Sequence, residues 1–337
     1  MAQEIMFPAR NAFVLVNCDE APLAPDEIRG QTICTLISQG TELAWAEGDS
    51  FPIRPGYAAV FAVTETGAAV TGIRHGELRF AMGAHRSTQT HRAALTLPLP
   101  GGLSPEMAVI ARLMGVSTTT LMTTRARAGD AVIVTGAGPV GLLAAHLFRI
   151  AGYRVTLIDP DVTRRDTAER SGIADVRPSM PLDDPMLLGK VALVVDCSGH
   201  EAAVLDGCRM LRRGGEVVLV GVPWRKLTEH SAHDLLDAVF NGLITLRSGW
   251  EWELPLRGRD FQWDELLDGY NNAAHSILGG FERALLWLAE GRVPLQGLIH
   301  KQSPCDPAAL YAAIAGRCIA EPFIVLDWSG FQQEQKP

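Results

Sequence analysis

The residues whose types and spacing most directly imply chemistry are Gly136-Ala137-Gly138-Pro139-Val140-Gly141, set directly after the apolar run AVIVT and opening the apolar run LLAAHLFRIAG. In a strand–turn–helix of this pattern, the first glycine allows a sharp turn. The second lets bare backbone approach a diphosphate, and the third packs helix on sheet. Pro139 and Val140 complete the turn, where phosphate oxygens would meet exposed N–H groups at the positive end of the helix. The next apolar run, RVTLI, ends at Asp159, eighteen residues after Gly141. That is close to the spacing of about twenty expected of an acid holding adenosine ribose hydroxyls. An acid there repels a 2′-phosphate and favours NAD over NADP, although Arg164 and Arg165 follow closely enough to clamp such a phosphate or cover the adenine. Downstream, VVDCSGH and GGEVVLVGVPW end in small residues that let strand ends face a ligand. Cys197, Ser198, Gly199, Val220 and Gly221 are expected to line the adenosine and nicotinamide positions.

The elements that must position these groups follow from the apolar periodicity. After about residue 118, runs at Ala131–Thr135, Arg154–Ile158, Val191–Asp196, Glu216–Gly221 and Leu243–Ser248 alternate with helical stretches. That alternation marks a buried parallel sheet, and a weaker strand at Ala174–Arg177 brings the count to the six of a doubly wound α/β domain. Before residue 118 the chain is β-rich, with runs at Ala12–Val16, Gln31–Ile37, Ala58–Glu65, Glu77–Met82 and Ala93–Leu97 separated by Gly and Pro. Beyond Pro255 come helices at Gly280–Glu290 and Pro307–Ile314 and a closing strand at Phe323–Trp328, which are expected to return to the first domain.

A length of 337 residues suits about two domains. The net charge of −8 argues against nucleic acid and anionic lipid as partners. The most apolar stretch, Ala131–Ile150, is broken by glycines, Pro139, His146 and Arg149, so no membrane span is expected. The start MAQEIMFPARN lacks the basic and apolar segments of a secretory signal, which points to the cytoplasm. Six cysteines without a CxxC pair give neither a disulfide scaffold nor a zinc ribbon.

ISQGTELAWAEGD, PGYAAVFAVTETG, HGELRF, the GAGPVG turn, CSGH, RRGGEVVLVG and the tail GLIHKQSP…FIVLDW together resemble the medium-chain alcohol dehydrogenase/reductase superfamily over nearly the whole chain. The resemblance implies a GroES-like β-barrel catalytic domain, residues 1–117 and 256–337, interrupted by a doubly wound Rossmann domain, residues 118–255. It also implies a small-molecule substrate held between them and a homodimer. The family's zinc enzymes carry Cys-Gly-Thr-Asp where this chain has Gln39-Gly40-Thr41-Glu42, Gly-His-Glu where it has Gly56-Tyr57-Ala58, and a third ligand where it has Met114. The lobe that holds a structural zinc in relatives would follow Phe80, and AMGAHRSTQTHRA contains no cysteine. The resemblance thus implies no catalytic and no structural zinc. Among zinc-free branches it is nearest to the group containing bacteriochlorophyllide dehydrogenases.

Without a metal, an alkoxide-like oxygen must be stabilised by hydrogen-bond donors. The resemblance places three candidates: Thr41, at the hydroxyl that relays the proton in relatives; Tyr57, at a ligand position; and His85, in a segment bordering the substrate pocket. Glu42 reads as a partner of the nicotinamide ribose or as a surface group. Trp224, Trp250, Trp252 and Trp263 either floor a pocket or, as in relatives whose sixth strand pairs across a dimer, bury a subunit interface. In EHSAHDLLDAVF, His230, His233 and Asp234 suggest helix capping rather than metal binding. The expected activity is hydride transfer between NAD(H) and a secondary alcohol or ketone, without zinc. The alternatives are an NADPH-dependent enone or quinone reductase and a non-catalytic NAD(P)(H)-binding sensor or scaffold.

Overall fold

A computed structural model describes residues 2–256 and 275–330. Trp263 lies outside them. The chain forms two compact units, one comprising Met1–Arg112, Leu285–Glu290 and Leu295–Pro337, the other Leu113–Ala284 and Gly291–Pro294.

The first unit opens with an antiparallel pair, β1 (Ala2–Met6) and β2 (Val14–Cys18). A ten-residue strand follows, β3 (Glu27–Leu36), then α1 (Gln39–Ala46), β4 (Ala59–Thr66), β5 (Leu78–Ala81), β6 (Thr88–Arg92) and β7 (Leu97–Pro98). The length of β3 lets it organise the sheet. It pairs with β4 along one edge, while its other edge is shared, residues 27–31 with β6 and residues 34–36 with the last strand of the chain. The expected strand at Ala93–Leu97 is instead a 3₁₀ turn over Ala93–Leu95 running into the short β7. Two strands, β1 and β6, had no clear alternation to betray them. The Glu4 side chain in β1 is buried and ion-paired with Arg54 at 2.6 Å, which masks the apolar pattern.

The second unit begins with α3 (Ala111–Thr123), which follows the short helix α2 (Pro105–Ala108). Its sheet contains β8 (Ala131–Thr135), β9 (Arg154–Ile158), β10 (Val176–Arg177), β11 (Val191–Asp196), β12 (Leu211–Leu219) and β13 (Thr245–Ser248). All neighbours are parallel, in the order β10-β9-β8-β11-β12-β13. This is the 3-2-1-4-5-6 order of a doubly wound fold, as the alternating apolar runs predict. The crossovers are α4 (Pro139–Ile150), α5 (Val162–Arg170), α6 (Glu201–Met210) and α7 (Ala232–Gly242). Strands β8 and β11 are buried at every position, which their unbroken Val, Ile and Leu content requires of strands covered on both faces. At α7, Ser231 accepts from the Asp234 N–H and Asp234 accepts from the Ser231 N–H, the reciprocal cap that EHSAHD suggested.

The chain ends with α8 (Ile277–Ala289), β14 (Ile299–Gln302), α9 (Pro307–Ala315) and β15 (Phe323–Asp327). Strand β15 pairs with β3 and β14, so the tail joins the sheet that β3 organises. The core here gathers Ile5, Phe7, Ile37, Leu310, Tyr311, Leu326 and Trp328. Among the described residues no helix is long and apolar enough to cross a membrane.

Candidate active site

In the second unit the sheet order reverses between β8 and β11, and it is after the two strands at such a switch point that a doubly wound sheet leaves a crevice. Gly136 has φ +85°, open to glycine at no steric cost, and a side chain there would press on Ser198. At Gly141 a Cβ would sit 1.7 Å from the Gly136 carbonyl oxygen, so the third glycine is fixed by helix-on-turn packing. Gly138 is different. It caps α4 with Pro139 at the first helical position, and a Cβ built there meets nothing within 4 Å. Two glycines are thus filled against protein and one faces open space at the positive end of a helix, an arrangement able to admit a diphosphate.

Asp159, directly after β9, has 2% exposure and accepts from the Ala137 N–H at 2.7 Å and the Asp161 N–H at 2.9 Å. The carboxylate therefore braces the glycine turn. Helix α5 is capped not by Asp159 but by Asp161. Arg164 is 3.6 Å from Asp159 with a half-exposed side chain, whereas Arg165 donates to the carbonyls of Asp159 and Pro160. Arg164 is thus the more available of the two cations.

Asp196, which ends an all-apolar strand and was not singled out as a site residue from the sequence, ties the crevice together. It is fully buried, and its Oδ1 accepts from Thr135 Oγ1 at 2.7 Å and from the Ser198 hydroxyl at 2.6 Å. Its Oδ2 accepts from the Gly199 N–H, and its carbonyl accepts from the N–H groups of Val220 and Gly221. One residue thereby holds the ends of β8, β11 and β12, and with them Ser198, Gly199, Val220 and Gly221. The signal was present as a carboxylate at the end of VALVVD, where burial demands partners. Burial beside that carboxylate pushes the Cys197 thiol well above its ordinary range, so it stays protonated.

The first unit holds a second cluster. Ser38 takes the cap position of α1, but its hydroxyl makes no cap bond; the Glu42 carboxylate accepts the Ser38 N–H instead, at 2.7 Å. The Tyr57 hydroxyl lies beside the hydroxyls of Ser38 and Thr41, with the Arg112 guanidinium 4.6 Å above its ring and Trp45 edge-on at 6.2 Å. Burial pushes the Tyr57 pKa up, and the two hydroxyls and Arg112 oppose that rise. Thr41 and Tyr57 are half-buried. The structure brings these two sequence candidates together and separates the third.

His85 corrects the expectation of a residue bordering the pocket. Its exposure is 0%, with Nδ1 2.8 Å from Thr35 Oγ1 and Nε2 3.1 Å from Glu42 Oε2. Both nitrogens are engaged inside the unit, because Gly56, lacking a side chain, leaves room for the imidazole beneath it. Glu42 is likewise fully buried and is neither a surface group nor open to a ribose. Among the tryptophans, Trp224, Trp250 and Trp252 are exposed.

The positions that hold zinc in the resembled enzymes carry an amide, a phenol and a thioether, none of them a thiolate or imidazole. The Gln39 amide donates to the Pro322 carbonyl at 2.9 Å, and Met114 is fully buried. Among the described residues no group of three or more His, Cys, Asp or Glu is arranged to hold a metal. This donor set does not fit zinc.

Residues 139–248 match the profile of a family described as zinc-binding dehydrogenase. An L-threonine 3-dehydrogenase from Bacillus velezensis is 29% identical over 151 residues, 43% of this chain. The chain thus spans 43% of that relative's length. Among solved structures, galactitol-1-phosphate dehydrogenase from Escherichia coli superposes with a TM-score of 0.77 at 15% identity, covering 96% of this chain and 99% of that one. A quinone oxidoreductase from Pseudomonas syringae pv. Tomato DC3000 superposes with a TM-score of 0.75 at 17% identity, covering 97% and 100%. The chain therefore shares the fold of these solved oxidoreductase structures, and its residues 139–248 match the zinc-binding dehydrogenase family model.

Proposed function

We propose that this protein is a zinc-independent oxidoreductase that moves a hydride between NAD(H) and a secondary alcohol or its ketone. The observation that carries the reading is the glycine turn, with Gly136 and Gly141 closed by protein and Gly138 open at the start of α4. Gly136, Gly138, Pro139, Val140 and Gly141 would hold the diphosphate, Asp159 and Arg164 the adenosine end, and Cys197, Ser198, Gly199, Val220 and Gly221 the remaining wall. When bound, the nicotinamide supplies the hydride acceptor or donor.

The chain's own part is to manage the proton and the charge on the carbinol oxygen. Thr41 and Tyr57 are the donors, since their hydroxyls adjoin and neither is sealed from solvent. A phenol of raised pKa is a poor base, but as a donor it favours a developing oxyanion. Because the donor set does not fit zinc, no step is assigned to a metal. In this reading residues 1–117 and 256–337 form the catalytic domain and 118–255 the nucleotide domain of a cytoplasmic homodimer.

The runner-up is NADPH-dependent reduction of an enone or quinone, favoured by the half-exposed Arg164, a ready partner for a 2′-phosphate. A non-catalytic dinucleotide sensor keeps the same crevice. Isothermal titration with NADH and NADPH, followed by a panel of alcohols, ketones, enones and quinones, separates the three. Preference for NADH with alcohol or ketone turnover is the expected result. Strong NADPH binding with weak NADH binding overturns it, and binding without any turnover favours the sensor.

A further inference from the structure

Behind Thr41 and Tyr57 lies a buried polar network that the proposed chemistry does not use. Glu42 Oε2 accepts from Tyr311 OH at 2.5 Å and faces His85 Nε2 at 3.1 Å, while Oε1 accepts the Ser38 N–H at 2.7 Å. On the far side of the imidazole, Nδ1 lies 2.8 Å from Thr35 Oγ1, which accepts from Trp328 Nε1 at 3.0 Å. One proton assignment satisfies every member. Nε2–H donates to the carboxylate, and Nδ1 accepts the Thr35 hydroxyl proton while the Thr35 oxygen receives the indole N–H. Glu42, His85, Tyr311 and Thr35 have 0% exposure and Trp328 3%. The network joins α1, β3, the loop after β5, α9 and the end of β15.

Its placement gives it a task. Glu42 follows Thr41 directly, and its carboxylate fixes the Ser38 N–H, so it holds the turn that carries the Thr41 hydroxyl. His85 packs under Gly56, the residue before Tyr57. Gly56 has φ +93°, and a Cβ there would lie 2.6 Å from His85 N and 2.8 Å from Nδ1. The Pro55 carbonyl also accepts the His85 N–H at 2.9 Å. The mounting of Thr41 and the mounting of Tyr57 are thus bonded to each other through one carboxylate–imidazole contact. A simple fold-stabilising core would not need polar groups at both points, since buried polar pairs are weak sources of stability and better attested as devices of register.

We propose that Glu42 and His85 are positioning residues, a buried pair that holds Thr41 and Tyr57 in register so that their hydroxyls meet one substrate oxygen. This rests on the donor roles given above to Thr41 and Tyr57. The test is made on the full chain labelled with ¹³C-tyrosine, the Tyr57 ring signal being assigned by its loss in Y57F. E42A is expected to move and broaden that signal at pH 7 and to lower kcat about tenfold or more, with dinucleotide affinity and substrate KM within about twofold. E42Q keeps an acceptor for Ser38 but turns its amide N–H groups toward Tyr311 and His85, so it restores the Tyr57 signal and kcat in part, to a level between E42A and wild type. Y311F, which removes one donor to Glu42, shifts the signal in the same direction by less. An unmoved Tyr57 signal in folded E42A overturns the proposal; if E42A does not fold, an unmoved signal in Y311F overturns it. A wild-type chain that turns over no substrate while Tyr57 still moves in E42A removes the oxidoreductase reading and supports the register.

Discussion

The glycine turn of one unit and the hydroxyl cluster of the other, to which the proposed function gives the dinucleotide and the substrate oxygen, are assembled from different materials. The crevice is made largely of backbone: a glycine turn, the first N–H groups of α4, and strand ends gathered by Asp196. The cluster is made of side chains mounted on a buried polar network drawn from residues as far apart as Thr35 and Trp328. Backbone groups are placed by local conformation, so a short run of sequence specifies them. Side-chain donors are placed by whatever packs behind them, and here that support comes from the opposite end of the chain.

That contrast is broken first at Gly138. Gly138→Asp puts a carboxylate against the diphosphate position and should weaken dinucleotide binding at least 10³-fold, about 4 kcal/mol, by calorimetry. Because the site is open in the protein alone, its thermal midpoint should barely move. An unchanged dissociation constant would remove the crevice from the account.

The next effect asks whether even the locally written helix α4 depends on distant packing. His146 on that helix has 0% exposure, with Nε2 3.0 Å from Ser171 Oγ. Burial first and the Arg149 charge second lower its pKa to about 4. A histidine lowered in the folded state binds its proton more readily when unfolded. Its stability contribution is present above the ordinary value of about 6.5 and is lost as pH falls toward 4. Wild type should lose on the order of 3 kcal/mol more than H146Q between pH 7 and pH 4. Denaturant titrations of both proteins at the two pH values measure it, and parallel losses would contradict it.

On the side-chain half of the comparison, Y57F should reduce kcat by roughly 10²-fold while leaving dinucleotide affinity intact, since a positioned proton donor contributes about that much. Steady-state kinetics with the best substrate of the panel is the measurement, and full activity in Y57F would assign the donor elsewhere. The smallest expected effect sharpens the glycine distinction. Gly138→Ala should weaken dinucleotide binding by only about tenfold at unchanged stability. Gly141→Ala should instead lower the thermal midpoint, because its Cβ meets the Gly136 carbonyl.

Much of the doubly wound unit was legible in the sequence. AVIVT, RVTLI and VALVVD appear as strands with the expected bounds, because continuous burial leaves a continuous apolar record. The hydroxyl cluster was legible only through a resemblance, and then incompletely. Helix α1 was not expected over Gln39–Ala46, where a glycine and a threonine in the first turn weaken the helical pattern, and the Glu42 carboxylate on Ser38 compensates at its start. His85 read as a residue bordering the pocket because nothing near it in sequence reveals that Gly56 opens a space for it or that Glu42 awaits it.

By itself, then, the sequence determined a doubly wound α/β unit with a glycine turn after its first strand, since the φ angles, apolar periodicity and strand-end acids that build it act over a few residues. Only the tertiary structure decided that Asp196 binds three strand ends, that His85 is sealed away, and that Thr41 and Tyr57 stand side by side. A buried polar group is set by partners that any segment of the chain can supply, and Tyr311 and Trp328 reach theirs only once β15 has paired with β3.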